Sequence, residues 1–481
     1  MTRNDFPNAR AVGMKTLLVQ PNYRYARESQ GGRWGVNPPI GLGYIAAVLE
    51  ENGIAVSILD ANALDLSEEA VAEHIGAYRP NIVGISTMTP AHTYAVNVAQ
   101  LIKKKNDDCL LVAGGPHATA LPGRLLAEGF DVIVRGEGEY AFLDLARGKK
   151  LETIAGISFR QGETGQHNSD RPAIRDVDGL PFPAWHLLPS NGVDLPYLST
   201  FTRYRPWAPI VTSRGCPFGC YYCTKHTFGR FFRARSPQNV LSELRYLKDK
   251  LHVREIDVYD DSFNFDLRRA EEILDLIIAE GLDLTFRFSN GLRADRITED
   301  LVAKMKAAGT DYVAFGIESG DQDVLNKIPK GVTLDMIRSA VSLTKRAGIT
   351  VTGFFMLGLV GDTKETMRKT IDFAKELDLD VASFGITTPY PGTGLWEMVM
   401  KDGQLLTSNL DELFHTSGRM LYKLPGTASP EEVEEAYRRA HKDFYFRTTY
   451  ILRQLSRARS YRQIQVMAKG VKAVLKIRKG Q

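Results

Sequence analysis

Three of the chain's four cysteines, Cys216, Cys220 and Cys223, fall within eight residues in the spacing C-x3-C-x2-C, while Cys109 stands alone. Four cysteines in 481 residues are too few for a disulfide framework. Their clustering points instead to a metal and a reducing compartment. A structural zinc site takes four ligands, usually as two C-x2-C pairs, and no second pair exists here. With His226 as a fourth ligand, a Cys3His zinc site is the plainer alternative. Three thiolates on a cubane [4Fe–4S] cluster leave one iron without a protein ligand. An open iron can chelate the amino and carboxylate groups of a small molecule.

The loop follows the β-branched run Ile210-Val211-Thr212 directly, so strands must carry the chemistry. Further runs come at Glu255 to Val258, Phe286 to Ser289, Val313 to Ile317, Val351 to Leu357 and Ala382 to Ile386, each pair separated by a helical pattern. Six such units predict a partial (β/α)6 barrel of the TIM type, whose reactive ends are the carboxyl ends of its strands. Upstream, the runs at Leu17, Ala55, Ile82, Leu110 and Val132 alternate with helical patterns and predict a doubly wound, Rossmann-like parallel sheet. Its strand ends are small and glycine-rich: Ser86-Thr87, Gly114-Gly115-Pro116-His117 and Arg135-Gly136-Glu137-Gly138-Glu139. Such ends suit a bulky ligand. Prolines accumulate between Pro172 and Pro206, which reads as a surface linker. The expected organisation is a sheet domain at 1–150, a linker at 151–206, a barrel at 207–400 and a helical C-terminal region at 401–481 in which strands cease.

The cysteine loop, with aromatic Tyr222 before Cys223, resembles the CxxxCxΦC loop of the radical S-adenosylmethionine (SAM) superfamily. The resemblance continues through Tyr259-Asp260-Asp261, Asn290 and Arg293, Phe315-Gly316-Ile317-Glu318-Ser319-Gly320, Phe355 to Leu359 and Pro389-Tyr390-Pro391-Gly392-Thr393. It implies Cys216, Cys220 and Cys223 as cluster ligands. Asp260 or Asp261, and Glu318 with Ser319, are expected to accept from the ammonium and ribose of SAM. Gly316 and Gly358 are expected to admit a close backbone. The plainer readings are a solvated strand-end carboxylate for Glu318 and a helix N-cap for Asp261. Where the family's fifth strand usually runs into GLPGET, this chain has Gly358-Leu359-Val360-Gly361-Asp362-Thr363.

Asn37 to Ala46, including Pro39 and Gly41, together with the glycine-rich strand ends, resembles the cobalamin domain that precedes the barrel in class B radical SAM enzymes. Ser86, Thr87, Gly114, Gly115, His117, Gly136, Glu137 and Gly138 become the expected corrin contacts. The alternatives are a plain tight turn at Gly114-Gly115, an ordinary capping or surface role for His117, and a degenerate sheet that holds no corrin. None of the nine histidines sits in D-x-H-x-x-G, so the resemblance implies cobalamin without a lower histidine ligand. The implied activity is reductive cleavage of SAM to a 5′-deoxyadenosyl radical that functionalises an unactivated carbon, foremost by C-methylation. Cyclisation, ring contraction and rearrangement occur in similar enzymes, such as the anaerobic magnesium-protoporphyrin ester cyclase, and hopanoid methylases are related. A flavodoxin- or ferredoxin-type electron donor is also implied. A non-catalytic corrinoid or cluster sensor would not need Asp260-Asp261 and Glu318-Ser319.

Composition agrees with a folded enzyme, since 43% hydrophobic and 25% charged residues exclude a disordered chain. The N-terminus has no signal-peptide run and no stretch approaches a membrane span, which predicts a cytoplasmic protein. The formal charge is +4, yet His441 to Gln481 holds eleven Lys and Arg against the single acid Asp443. Residues 444–481 therefore read as a basic amphipathic segment suited to a membrane surface and a lipid-like substrate, or as a helix packed on the barrel. No RNA-binding module is present, so nucleic acid is not an expected partner.

Overall fold

The computed structural model describes residues 14–23, 36–105, 109–162, 164–194, 196–197, 199 and 202–457. The chain divides into two compact units. The first comprises Met1–Pro217, Thr224–Asp261 and Ala279–Thr285, and the second Phe218–Cys223, Ser262–Ile278 and Phe286–Gln481.

In the first unit, β1 (Lys15–Gln20), β2 (Ala55–Asp60), β3 (Ile82–Ser86), β4 (Leu110–Gly114) and β5 (Val132–Val134) pair in parallel in the order β2-β1-β3-β4-β5. Successive strand residues face opposite sides. Leu18, Val112, Val132 and Val134 join one core with the helices Ile40–Glu51 and Glu139–Ala146, while Leu17, Val19, Leu111, Ala113 and Ile133 join another with Glu68–Tyr78 and His92–Lys105. Both faces are thus covered, as a doubly wound sheet requires. Cys109, 3% exposed, belongs to the second core.

The segment expected as a surface linker does more than connect. β6 (Ile157–Gln161) and β7 (Thr164–His167) extend the sheet antiparallel beyond β5, making seven strands. Ile174, Val177, Leu180 and Ala184 then pack into the first core. The strand signal there is short, three alternating residues at Ile157-Ser158-Phe159, and the following prolines mark irregular backbone without preventing its burial.

Also in the first unit, β8 (Trp207–Ile210) pairs in parallel with β11 (Glu255–Val258). In the second unit, β12 (Thr285–Leu292), β13 (Thr310–Glu318), β14 (Thr350–Leu357) and β15 (Val381–Ile386) pair in parallel in turn. Between β8 and β11, β9 (Ser213–Arg214) and β10 (Arg233–Ala234) form a short antiparallel pair. The helices between strands start on hydroxyl caps: Ser236, Thr298, Thr333 and Thr363 each accept a backbone N–H of the first turn.

The C-terminal region is helical but not free of strands, since β16 (Gln404–Leu405) and β17 (Tyr422–Lys423) form a small hairpin. The helix Pro430–Tyr445 follows, then Thr448–Arg457. The described start of the basic tail is packed: Arg447 donates to Lys375 O at 3.0 Å, Arg453 to Leu379 O at 2.8 Å, and Tyr450 to Asp380 O at 3.0 Å. These arginines serve carbonyls where a helix ends, as cations do at helix C-termini. The remaining tail residues, including Ile464, Met467 and Val471, lie outside the described residues. No described helix is long and apolar enough to cross a membrane.

Candidate corrin cleft and cysteine loop

The first unit holds a cleft of ≈ 950 Å³, counting the space open to solvent, at the carboxyl ends of β1, β3, β4 and β5. Pro39, Gly41, Ser86, Gly114, Gly115, Gly136, Glu137 and Gly138 line it. Leu18, Ile45, Val112, Val134 and Phe142 make an apolar floor. Its rim is tight, and at Gly115 only glycine fits. A Cβ on Gly138 would lie 2.9 Å from Ile45, and Gly115, at φ +97, would place one 2.9 Å from Thr87 O.

Two expected contacts are committed elsewhere. The Thr87 hydroxyl donates to Gly114 O at 2.8 Å and accepts Ala118 N–H, tying β3 to the turn after β4. His117 is 1% exposed and does not line the cleft. Its Nδ1 meets Thr89 Oγ1 at 3.1 Å, and its ring lies 4.7 Å from that of His92. Burial, reinforced by His92 and Arg124, lowers its pKa from 6.5 to about 3. The folded chain thus refuses a proton that the unfolded chain takes up below about pH 6.5. Stability is present above that pH and falls as pH drops toward 3, by up to about 1.4 kcal/mol per unit. Urea unfolding at pH 7 and pH 5 should show a smaller loss for His117→Asn than for the wild type; equal losses would refute this.

The cleft's remaining wall comes from the approach to the cysteine loop. Val211, Arg214, Thr227 and Phe228 line it. Arg214 reaches Glu137 at 2.8 Å and Glu139 at 2.8 Å, and Arg233 reaches Glu137 at 2.7 Å. All four side chains are less than 9% exposed. Glu137, expected as a corrin contact, is therefore also the hub of a buried ion network. The neighbouring strand end pins the same segment. Asp260 accepts Thr212 N–H and Ser213 Oγ at 2.6 Å each, together with the Thr212 hydroxyl, and Asp261 accepts Gly215 N–H at 2.9 Å. Asp260 thus fastens the loop with both carboxylate oxygens.

Gly215 has φ +84, and a Cβ there would lie 2.2 Å from Phe231 O. Gly215→Ala should cost at least about 1–2 kcal/mol for the left-handed backbone alone, with the clash added. The expected result is a lower unfolding midpoint and less iron per reconstituted chain; wild-type values for both would count against it.

In the second unit, the remainder of the loop is clamped. The Arg293 guanidinium lies 3.4 Å from the Phe218 ring centroid and donates to Lys330 O at 2.6 Å. Gly219 N–H donates to Pro329 O at 3.3 Å. Val360 N–H donates to the Tyr221 hydroxyl at 3.0 Å. That bond needs a residue with an N–H, so Val360, standing where the family's pattern has proline, gains the loop a fastening. Asp362 accepts Leu359 N–H at 2.9 Å, and burial pushes its carboxyl up to about 6.

Glu318 sits in the left-handed region at φ +68 and pairs with Lys330 at 2.7 Å, while Lys330 also donates to Gly316 O at 2.6 Å. A Cβ on Gly316 would fall 2.7 Å from both Glu318 Oε1 and Lys330 Nζ. Ser319 is buried against Thr370 and accepts Asp321 N–H. Asn290 is exposed on β12, and Gly358, at φ +78, offers its carbonyl to the Tyr422 hydroxyl at 2.8 Å. Sequence reading missed Glu139 as a wall residue, Arg214, Arg233 and Lys330. Glu139 and Arg214 adjoin the glycine and cysteine motifs while Arg233 and Lys330 adjoin neither, so charge alone was too common a signal to select them.

The donor set suits the implied groups. All four cysteines are unbridged, and Cys216, Cys220 and Cys223 are partly or fully exposed. Among the described residues no three Cys, His, Asp or Glu side chains converge as ligands of a single ion. A cubane takes each thiolate on a separate iron, so such convergence is not required. For a corrin, the fit rests on the glycine rim, the apolar floor and Glu139 Oε2, which is buried with no hydrogen-bond partner among the described residues.

A doubly wound sheet with a glycine-rimmed cleft, and a three-cysteine loop leading from the first strand of a parallel β/α array, define an α/β enzyme that works through bound cofactors. Residues 34–146 match the B12 binding domain, and residues 210–374 the Radical SAM superfamily. An uncharacterized methyltransferase of Pyrococcus horikoshii is 35% identical over 92% of this chain and 95% of its own. The chain belongs to the radical SAM enzymes that carry a B12-binding domain, the family of class B methylases and anaerobic magnesium-protoporphyrin ester cyclases. Its cofactors are a [4Fe–4S] cluster, SAM and cobalamin. The anaerobic magnesium-protoporphyrin IX monomethyl ester cyclase of Rubrivivax gelatinosus is 29% identical over 80% of this chain and 70% of its own. The radical SAM methyltransferase TsrM of Kitasatospora setae, solved with cobalamin and [4Fe–4S] bound, has the same fold with a TM-score of 0.68. It is 20% identical, with 90% of this chain and 88% of that one covered.

Proposed function

We propose that this enzyme C-methylates an unactivated carbon of a small-molecule substrate. The observation that carries the reading is that Arg214, two residues before Cys216, is part of the wall of the glycine-rimmed cleft. Bound in their sites, the three cofactors supply one-electron reduction, hydrogen-atom abstraction and a transferable methyl group. In this reading Cys216, Cys220 and Cys223 each hold one iron. Within the second unit, Lys330 offers its ammonium to the SAM carboxylate, Glu318 accepts from the amino group or ribose, and Asn290 adds an exposed amide. Gly316 and Gly358 let the backbone approach. Pro39, Gly41, Ser86, Gly114, Gly115, Gly136 and Gly138 cradle the corrin, while Leu18 and Phe142 exclude water from its apolar side. Asp260, Arg293 and Tyr221 hold the cysteine loop in shape.

A flavodoxin- or ferredoxin-type protein is the proposed electron donor. Peripheral contact with an anionic membrane surface through 444–481 is proposed for its basic residues beyond Arg457, because Arg447 and Arg453 are engaged with carbonyls. The cyclase relative favours ring formation as the second reading.

Anaerobic incubation with reductant, SAM, methylcobalamin and candidate substrates should release 5′-deoxyadenosine together with S-adenosylhomocysteine and a product heavier by one methylene. Release of 5′-deoxyadenosine with a product two hydrogens lighter and no S-adenosylhomocysteine would replace methylation by cyclisation.

A further inference from the structure

Buried ion pairs are weak evidence for stability, because desolvation offsets their attraction; their best-attested use is to fix one arrangement of parts. The Arg214 network lies within the first unit and joins two parts with different tasks. One nitrogen of the guanidinium reaches Glu137 and another Glu139, each at 2.8 Å. The group also lies 5.0 Å from the Tyr44 ring and 5.2 Å from the Phe228 ring. Arg214, Glu137, Glu139, Tyr44 and Phe228 all line the cleft. The backbone of Arg214 leads within two residues to Cys216, through a glycine whose N–H is held by Asp261 and whose flank admits no side chain. The same arginine therefore has its head in the cleft wall and its backbone at the first thiolate.

Glu139 supplies the second observation. It is 4% exposed, and its Oε2 has no hydrogen-bond partner among the described residues. An unsatisfied buried carboxylate oxygen is costly. A corrin carries amide side chains around its rim, and their N–H groups are donors of the kind this oxygen lacks.

We propose that Arg214 is a positioning residue that couples cobalamin occupancy of the cleft to the geometry of the cysteine loop, with Glu139 as the ligand contact. The proposal rests on the cobalamin reading above. A donor on Glu139 Oε2 changes how that carboxylate shares Arg214, and Arg214 is tied to the approach to Cys216. Linkage makes the coupling reciprocal: a formed cluster must raise cobalamin affinity by the factor by which cobalamin favours the cluster-bearing loop.

The test is anaerobic absorbance titration of the full chain with hydroxocobalamin, with the cluster reconstituted and after its removal by chelation. Couplings of this kind span about 5–150-fold, so the wild-type Kd should tighten at least about 5-fold with the cluster present. In Arg214→Lys the ratio should collapse toward one, because an ammonium cannot bridge two carboxylates as a fork does. The electron paramagnetic resonance signal of the reduced cluster should shift with cobalamin in the wild type and not in this variant. Glu139→Gln, which keeps shape and alters the contact, should also lower the ratio and serves if Arg214→Lys does not fold. A wild-type ratio of one, or a ratio preserved in the variants that fold, would overturn the coupling alone. A wild-type chain that binds no cobalamin would overturn the functional reading and this inference with it.

Discussion

The Cys220→Ala variant is expected to fold, to hold no stable [4Fe–4S] cluster and to release no 5′-deoxyadenosine above background. Cys220 is partly exposed in a loop whose shape is set by its neighbours: Phe218 under Arg293, Gly219 on Pro329 O and Tyr221 on Val360 N–H. Removing one sulfur should leave those contacts in place, so unfolding temperature should change little. The cluster, however, loses one of only three protein ligands. Iron and sulfide analysis, the electron paramagnetic resonance signal and chromatographic detection of 5′-deoxyadenosine should all fall together. Cys109→Ala is the control. Cys109 lies in the packed core of the first sheet, so its loss should cost about 1 kcal/mol of stability and leave cluster content unchanged. Cluster loss in Cys109→Ala, or a wild-type cluster in Cys220→Ala, would contradict the assignment.

The largest effect on stability is expected from Glu137→Ala. Glu137 accepts from Arg214, Arg233 and Ile174 N–H at 2.7 to 2.8 Å, and its side chain is 4% exposed. Its removal leaves Arg233 without a carboxylate among its ion pairs and Arg214 with only Glu139. Breaking a buried pair from one side costs about 3–5 kcal/mol, a large part of the roughly 5–15 kcal/mol by which a domain is stable. Chemical denaturation should show that loss. Replacing Glu137, Glu139, Arg214 and Arg233 together by apolar residues of similar volume should recover much of it, since no member of the network is then left as a lone charge. That quadruple variant should still lose the coupling between cobalamin and cluster. A loss below about 1 kcal/mol in Glu137→Ala, the value of an exposed pair, would show that solvent reaches the network.

The architecture was largely legible because its signals are local. Strands of the first sheet show as β-branched runs between amphipathic helices, and both faces are buried as such runs require. The hydroxyl caps that start helices at Ser236, Thr298 and Thr363 were singled out only by the structure. The antiparallel extension at β6 and β7 was not legible, since three alternating residues followed by prolines resemble a loop until β5 is there to pair with them. The same applies to the tail: a basic amphipathic pattern reads alike whether its arginines face lipid or, like Arg447 and Arg453, the carbonyls of a neighbouring turn.

What the amino-acid order determined by itself is therefore the chemistry on offer. Three cysteines on one short loop, and glycines at successive strand ends, are covalent and local facts that no packing can alter. Only the tertiary structure decided which polar groups at those strand ends are free to meet a ligand. Asp260 is committed to Thr212 and Ser213, and His117 to Thr89. Glu137 is shared with arginines 77 and 96 residues away. A buried carboxylate or imidazole must find a partner, and the partner is selected by which strands come to lie side by side. Sequence periodicity carries no record of that choice.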